Sequence, residues 1–211
     1  MVEKDVLDIF EGGKKIPLVE EFYTLQGEGY HTGKAAYFIR VGGCDVGCSW
    51  CDTKFSWNPD LHPVVDIEEI VDRAIIYPAG AVVVTGGEPL MTDMGPLTKS
   101  LKQKGIQTFL ETSGAYPLSG VWDWICLSPK KKLPPVASIH ESAHELKVII
   151  ADESDIEWAI EHSGLVSDSC KLFLQPEWSN RENILPLIIE FAMEHPAWSI
   201  SLQAHKYMHI P

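Results

Sequence analysis

Gly42-Gly43-Cys44-Asp45-Val46-Gly47-Cys48-Ser49-Trp50-Cys51-Asp52-Thr53 sets three cysteines at spacings of four and three in one glycine-punctuated loop. A loop this short can turn all three sulfurs toward one point. Thiolates are soft ligands, so the candidates are an iron–sulfur cluster or zinc. A cubane cluster has four irons, and three cysteines would leave one iron open for chemistry. Structural zinc needs a fourth ligand, and His62 is the nearest candidate, eleven residues on. Zinc ligands more often come as two separated pairs. A third reading is three unrelated cysteines buried as small hydrophobes. Their clustering, and the flanking Gly42, Gly43 and Gly47, stand against it.

Apolar segments surround this loop. Residues 35–41 read as a strand that delivers the chain to the cysteines, with Arg40 near its end. Further strands are expected over 19–25, 81–85, 106–110, 124–127, 145–150, 171–174 and 198–202. Helices are expected over 67–77, 94–104, 153–162 and from about 180 to 194, with Asp66 as a cap for the first. Alternation of strands with helices predicts a parallel sheet. Seven strands follow the first, but only four helices. A closed eight-stranded α/β barrel usually takes ~250 residues. The expected fold is therefore α/β, a single-domain, open, partial TIM-like barrel of parallel strands with a reduced helix count. Residues 1–16 read as a loosely held leading segment.

Composition narrows the class. With 211 residues and 45% hydrophobic content, the chain can bury a substantial core. No apolar run approaches bilayer length, and the charged start precedes no signal core, so neither membrane nor secretion is expected. The five cysteines show no disulfide rhythm, which fits a reducing cytoplasm. A net charge of −13 argues against nucleic acid as a partner.

Polar motifs close the expected strands: Thr85-Gly86-Gly87-Glu88-Pro89, Glu111-Thr112-Ser113-Gly114, Ser128-Pro129-Lys130 and Gln175-Pro176-Glu177-Trp178. In a parallel sheet they share one rim with the cysteine loop, where ligands bind in such folds. Each also has a plainer reading. The glycine pair can be a strand-to-helix turn, Arg40 a solvated charge, Thr53 a helix cap or turn residue, and Ser113 and Gln175 satisfied turn residues. The lysine run 130–132 can be a solvated loop. The glycines of 26–33 do not fit a dinucleotide fingerprint; they suit either a turn or a backbone that approaches a flat ligand. Cys126 and Cys170 read as core residues.

Taken in order, these motifs resemble the 7-carboxy-7-deazaguanine synthase family of radical S-adenosylmethionine (SAM) enzymes. The likeness runs from Phe22 to Pro211. It rests on Leu25-Gln26-Gly27-Glu28-Gly29, Phe38-Ile39-Arg40, the C-x3-C-x2-C loop with Trp50 before its last cysteine, the first three of those strand-end motifs and His205-Lys206-Tyr207. The resemblance implies a 4Fe–4S cluster on Cys44, Cys48 and Cys51, and Mg2+ on Thr53. It implies SAM contacts from Trp50, Gly87, Glu88, Ser113, Ser128, Pro129, Lys130, Gln175 and Pro176. Leu25, Gln26, Gly27, Glu28, Arg40, Thr85, His205 and the α-carboxylate of Pro211 would take the substrate. That substrate would be 6-carboxy-5,6,7,8-tetrahydropterin, contracted to 7-carboxy-7-deazaguanine with loss of ammonia. No side chain is expected to act as acid or base, since a 5′-deoxyadenosyl radical from SAM abstracts the hydrogen. Residues 203–211 would close the substrate site. A homodimer, and an electron donor such as flavodoxin or ferredoxin, are implied in the same way. A glycyl-radical activase shares the cysteine loop and is the alternative enzyme. A zinc-stabilised binding module is the alternative without catalysis.

Overall fold

The computed structural model describes residues 11–211. The strands are β1 (Lys15–Leu25), β2 (Ala35–Val41), β3 (Val64–Asp66), β4 (Ala81–Gly86), β5 (Gln107–Thr112), β6 (Trp124–Leu127), β7 (Glu145–Ile150), β8 (Lys171–Pro176) and β9 (Trp198–Ile200). The helices are α1 (Ile67–Ala74), α2 (Gly95–Gln103), α3 (Ser154–Ser163), α4 (Arg181–Glu194) and α5 (Ala204–Met208). One sheet holds all nine strands in the order β3-β1-β2-β4-β5-β6-β7-β8-β9. From β2 through β9 every neighbouring pair is parallel. The sheet does not close, as expected of a partial barrel.

Its β3 edge departs from expectation. β1 runs antiparallel to β2 and β3. Only the turn over 26–34 separates β1 from β2, and a connection that short can return the chain only antiparallel. Gln26 N donates to Lys34 O at 2.8 Å and Gly33 N to Gln26 O at 2.8 Å, closing the turn. The leading segment also differs. Residues 1–10 lie outside the described residues, but β1 begins at Lys15 and Ile16 is fully buried, so 11–16 are not loosely held. β3 and α5 were not foreseen.

The four longer helices, α1 to α4, cover the convex side, and the short α5 lies at the concave face. α1 starts where Asp66 accepts a hydrogen bond from Glu68 N at 2.9 Å, and it buries Ile67, Ile70, Val71 and Ala74. These meet Leu97 and Leu101 of α2 and Val82 and Val84 of β4 in one core. A second core joins α3 and α4 to β6, β7 and β8 through Leu127, Leu146, Val148, Leu174 and Ile188. Burying each such side chain contributes roughly 1.5–3 kcal/mol. β7 shows the division between the faces. Leu146, Val148 and Ile150 enter the second core, whereas Lys147 and Ile149 line a cavity on the concave side. With few helices to fill it, that concave side is free to bind ligands.

Candidate active site

One cavity of about 290 Å³ lies on the concave face. That is near the lower end of small-molecule pockets, ~300–1,000 Å³. Cys44, Cys48 and Cys51 line it, and all three are free thiols and half-buried. Gly87 lets the β4 end press on this loop: a Cβ there would stand 2.9 Å from Cys44 Cβ and still nearer Gly43 O. Backbone bonds lock the two segments, Gly87 N to Val41 O at 2.9 Å and Glu88 N to Gly43 O at 2.8 Å. Tyr116 hydroxyl donates to Asp45 and ties the loop to the β5 end.

Burial pushes the thiols of Cys44 and Cys48 up. A bound iron centre supplies the positive charge that thiolates need there, so the residues fit a cluster. They fit zinc poorly. His62 Nε2, the nearest candidate for a fourth ligand, is engaged with Phe55 O at 2.9 Å.

The SAM-type residues follow the cluster loop along the rim. Glu88 is buried, and its carboxylate accepts four hydrogen bonds: from Leu90 N (3.1 Å), Thr112 Oγ1 (2.5 Å), Ser113 N (2.8 Å) and Ser113 Oγ (2.5 Å). The carboxylate of Glu88, expected as a SAM contact, is thus engaged with the neighbouring motif, whose Ser113 it orients. Lys130 Nζ donates to Ser128 O and Oγ, each at 2.6 Å, and stands 5.6 Å from the Trp50 ring centre. Burial lowers the Lys130 pKa, with Cys48 opposing. Gln175 Oε1 accepts from Ser201 Oγ at 2.7 Å, and Pro176 lines the cavity beside it. Pro129 is buried and lines a separate outer groove behind the cysteine loop, so it does not share the cavity.

Opposite stand the residues expected to hold substrate. Arg40 and Thr85 are register partners on β2 and β4, and both line the cavity. Arg40 Nε donates to Glu20 Oε1 at 2.7 Å. Among the described residues its Nη atoms have no hydrogen-bond partner, leaving the fork available. Thr53 precedes a short 3-10 turn without capping it, and its Oγ1 is 3.5 Å from Cys51 Sγ. The Thr53 side chain is thus no cap, but its carbonyl accepts from Ser56 N at 2.9 Å and Ser56 Oγ at 2.7 Å, as a turn residue does. Leu25, Gln26, Gly27, Glu28, His205 and Pro211 all line the same cavity. The Gln26 amide is engaged, with Nε2 donating to Glu111 Oε1 at 3.2 Å and Oε1 accepting from Glu28 N at 3.3 Å. α5 packs on Gly27, whose carbonyl accepts from Ala204 N at 2.8 Å. Burial lowers the His205 pKa, with the Glu28 charge opposing, which favours the neutral ring.

Sequence reasoning missed Glu111, Lys147, Trp178 and Gln203 as cavity residues. Glu111 stands in a quoted strand-end motif, so position was a usable signal for it. Asp52 and Lys206 were also missed. They pair at 2.7 Å and join the cysteine loop to α5, while Lys206 lies 4.8 Å from the Trp178 ring centre.

Known proteins share this arrangement of sequence and fold. The Radical SAM superfamily model matches residues 38–127. A 7-carboxy-7-deazaguanine synthase of Flavobacterium psychrophilum is 55% identical over 211 residues, all of both chains. One of Synechocystis is 47% identical, covering 91% of this chain and 92% of its own. One of Escherichia coli is 35% identical, covering 92% and 98%. The crystal structure of QueE from Escherichia coli superposes with a TM-score of 0.81 at 32% identity, covering 97% of this chain and all of that one.

Proposed function

The chain belongs to the 7-carboxy-7-deazaguanine synthase family of radical SAM lyases, and on that premise we propose how its cavity works. Membership brings a 4Fe–4S cluster and SAM and leaves the activase and zinc-module alternatives without support. The proposed substrate is 6-carboxy-5,6,7,8-tetrahydropterin, and the proposed reaction is its contraction to 7-carboxy-7-deazaguanine with release of ammonia. One observation carries this reading. A single cavity is lined by the three cysteines together with the 26–28 turn, Arg40, His205 and Pro211.

When bound, the cluster and SAM supply the radical that takes hydrogen from the substrate. The chain places and shields the reactants. Cys44, Cys48 and Cys51 hold the cluster. Gly87, Ser113, Ser128, Lys130, Gln175 and Pro176 form the SAM wall, with Trp50 beside the adenine. Glu88 mainly orients Ser113 in this wall. Pro129 shapes the wall from behind. The Arg40 fork suits the substrate carboxylate. Thr85 adds a hydroxyl. Thr53 offers one oxygen to Mg2+, an ion that keeps waters and borrows substrate oxygens, so one protein ligand suffices. The Pro211 carboxylate accepts from the aminopyrimidine edge of the pterin, and neutral His205 orients the ring.

The whole of 1–211 acts as one radical SAM domain, closed by 203–211. The enzyme works in the cytoplasm as a homodimer and takes electrons from a flavodoxin or ferredoxin. No described helix is long and apolar enough to cross a membrane. The test is anaerobic incubation with SAM, reductant, Mg2+ and the carboxypterin. A product with the mass of 7-carboxy-7-deazaguanine is expected; unconsumed carboxypterin would refute the assignment.

A further inference from the structure

A lysine in a central strand is expected to reach for solvent, yet the Lys147 side chain on β7 is only 4% exposed. Its Nζ donates to Glu28 Oε2 at 2.6 Å and Glu111 Oε2 at 2.9 Å. Each of these carboxylates carries a second link. Glu28 Oε1 accepts from Gln203 Nε2 at 2.9 Å, and Glu111 Oε1 accepts from Gln26 Nε2 at 3.2 Å. One ammonium therefore joins the 26–28 turn, the β5 end and the approach to α5. All three segments line the cavity, and the 26–28 turn and α5 carry residues proposed to hold substrate.

We propose that Lys147 is a positioning residue that fixes the substrate half of the cavity, holding the turn and the C-terminal segment in register through Glu28 and Glu111. The inference rests on the carboxypterin occupying that half.

Lys147 is the one cation within a crowd of acids. Glu28, Glu111, Glu145 and Cys126 surround it, with Lys130 and His205 as the next charged or titratable neighbours. Burial works against its charge, but the surrounding acids raise its pKa well above the ordinary lysine value. Burial would likewise raise the Glu28 pKa, yet Lys147 and Gln203 bring it down to about 2. Even with Lys147 present, burial lifts Glu145 to about 6. A buried ion pair adds little to stability compared with a well-packed apolar side chain. Removing this cation, however, leaves Glu28 and Glu111 facing each other unneutralised. Such a pair ionises in separated steps, one of them at a raised pKa. Above that value the two carboxylates repel, and the turn and tail part.

The experiment compares the wild-type holoenzyme with Lys147→Met and Glu28→Gln, after anaerobic reconstitution. Iron content and SAM affinity should stay at wild-type values in both variants. In Lys147→Met the carboxypterin KM should rise at least about tenfold. That KM should also climb between pH 6 and pH 8, where the wild-type KM stays level. Glu28→Gln keeps the side chain's shape while loosening the clasp, and should raise the pterin KM without the new pH dependence. It also serves if Lys147→Met does not fold. Combining the two substitutions should flatten the pH profile of Lys147→Met. An unchanged pterin KM in either single variant overturns the proposal. So does parallel loss of SAM and pterin binding, which marks a general structural role. Wild-type turnover is measured first; its absence counts against the pterin substrate itself, before any variant is read.

Discussion

Replacing Gly27 by alanine tests how the C-terminal segment meets the substrate wall. A Cβ at this position would stand 2.7 Å from both Cβ and Cγ of His205 and closer still to Nδ1. Ordinary contact begins at 3.4 Å, so the ring and its helix must withdraw by about 1 Å. The withdrawal cannot be confined to a side-chain tip, because His205 Cβ is itself in contact. It also strains the bond from Ala204 N to the Gly27 carbonyl. Misplacing a positioning group by about 1 Å costs on the order of 10²-fold in rate. That corresponds to about 3 kcal/mol of transition-state stabilisation. The assay is steady-state turnover of carboxypterin under anaerobic conditions, with iron content and SAM affinity measured on the same samples. We expect kcat/KM for the pterin to fall about 10²-fold, with iron and SAM binding unchanged. A fall of less than about threefold would show that α5 does not position substrate, whatever its packing.

Appending a few residues after Pro211 should raise the pterin KM, whereas the same residues added before Met1 should not; equal kinetics for the two would count against the terminal carboxylate. Thr53→Ala should increase the Mg2+ concentration needed for half-maximal turnover while leaving iron content alone, and an unchanged Mg2+ titration would place the ion elsewhere. Burial lowers the pKa of His31, His162 and His205, so the unfolded chain binds more protons near the ordinary histidine value of about 6.5. Stability should therefore fall as pH drops from 7.5 to 5.5. Glu145, raised to about 6, opposes with one group against three. Urea midpoints that stay level or rise across this window would refute that balance.

Much of the fold was legible because buried parallel strands read as continuous apolar runs. Val82, Val83 and Val84 announce β4, and the motif that follows it sits on the ligand-binding rim. β3 was hidden for a physical reason. Three residues after His62-Pro63 carry no period, and two of their three partners, Lys15 and Ile16, fell within the supposed leading segment. α5 is five residues long, too short for a helical pattern to emerge. Among the site residues, the cysteines and strand-end motifs could be read because local spacing encodes them. Lys147 could not: its partners Glu28 and Glu111 lie 119 and 36 residues away, and only the folded sheet brings them together. Glu88 shows the reverse limit. Its place in the cavity was legible, but its capture by Thr112 and Ser113 depends on the β4–β5 register.

The central claim is that Cys44, Cys48 and Cys51 hold a redox-active cluster beside a pterin cavity. Anaerobic reconstitution with iron and sulfide, followed by metal analysis and a single-turnover reaction with SAM and carboxypterin, tests it most directly. The account predicts a brown protein with about four irons per chain that yields 7-carboxy-7-deazaguanine. A colourless protein holding one zinc ion, or a brown one that leaves the carboxypterin untouched, would contradict it.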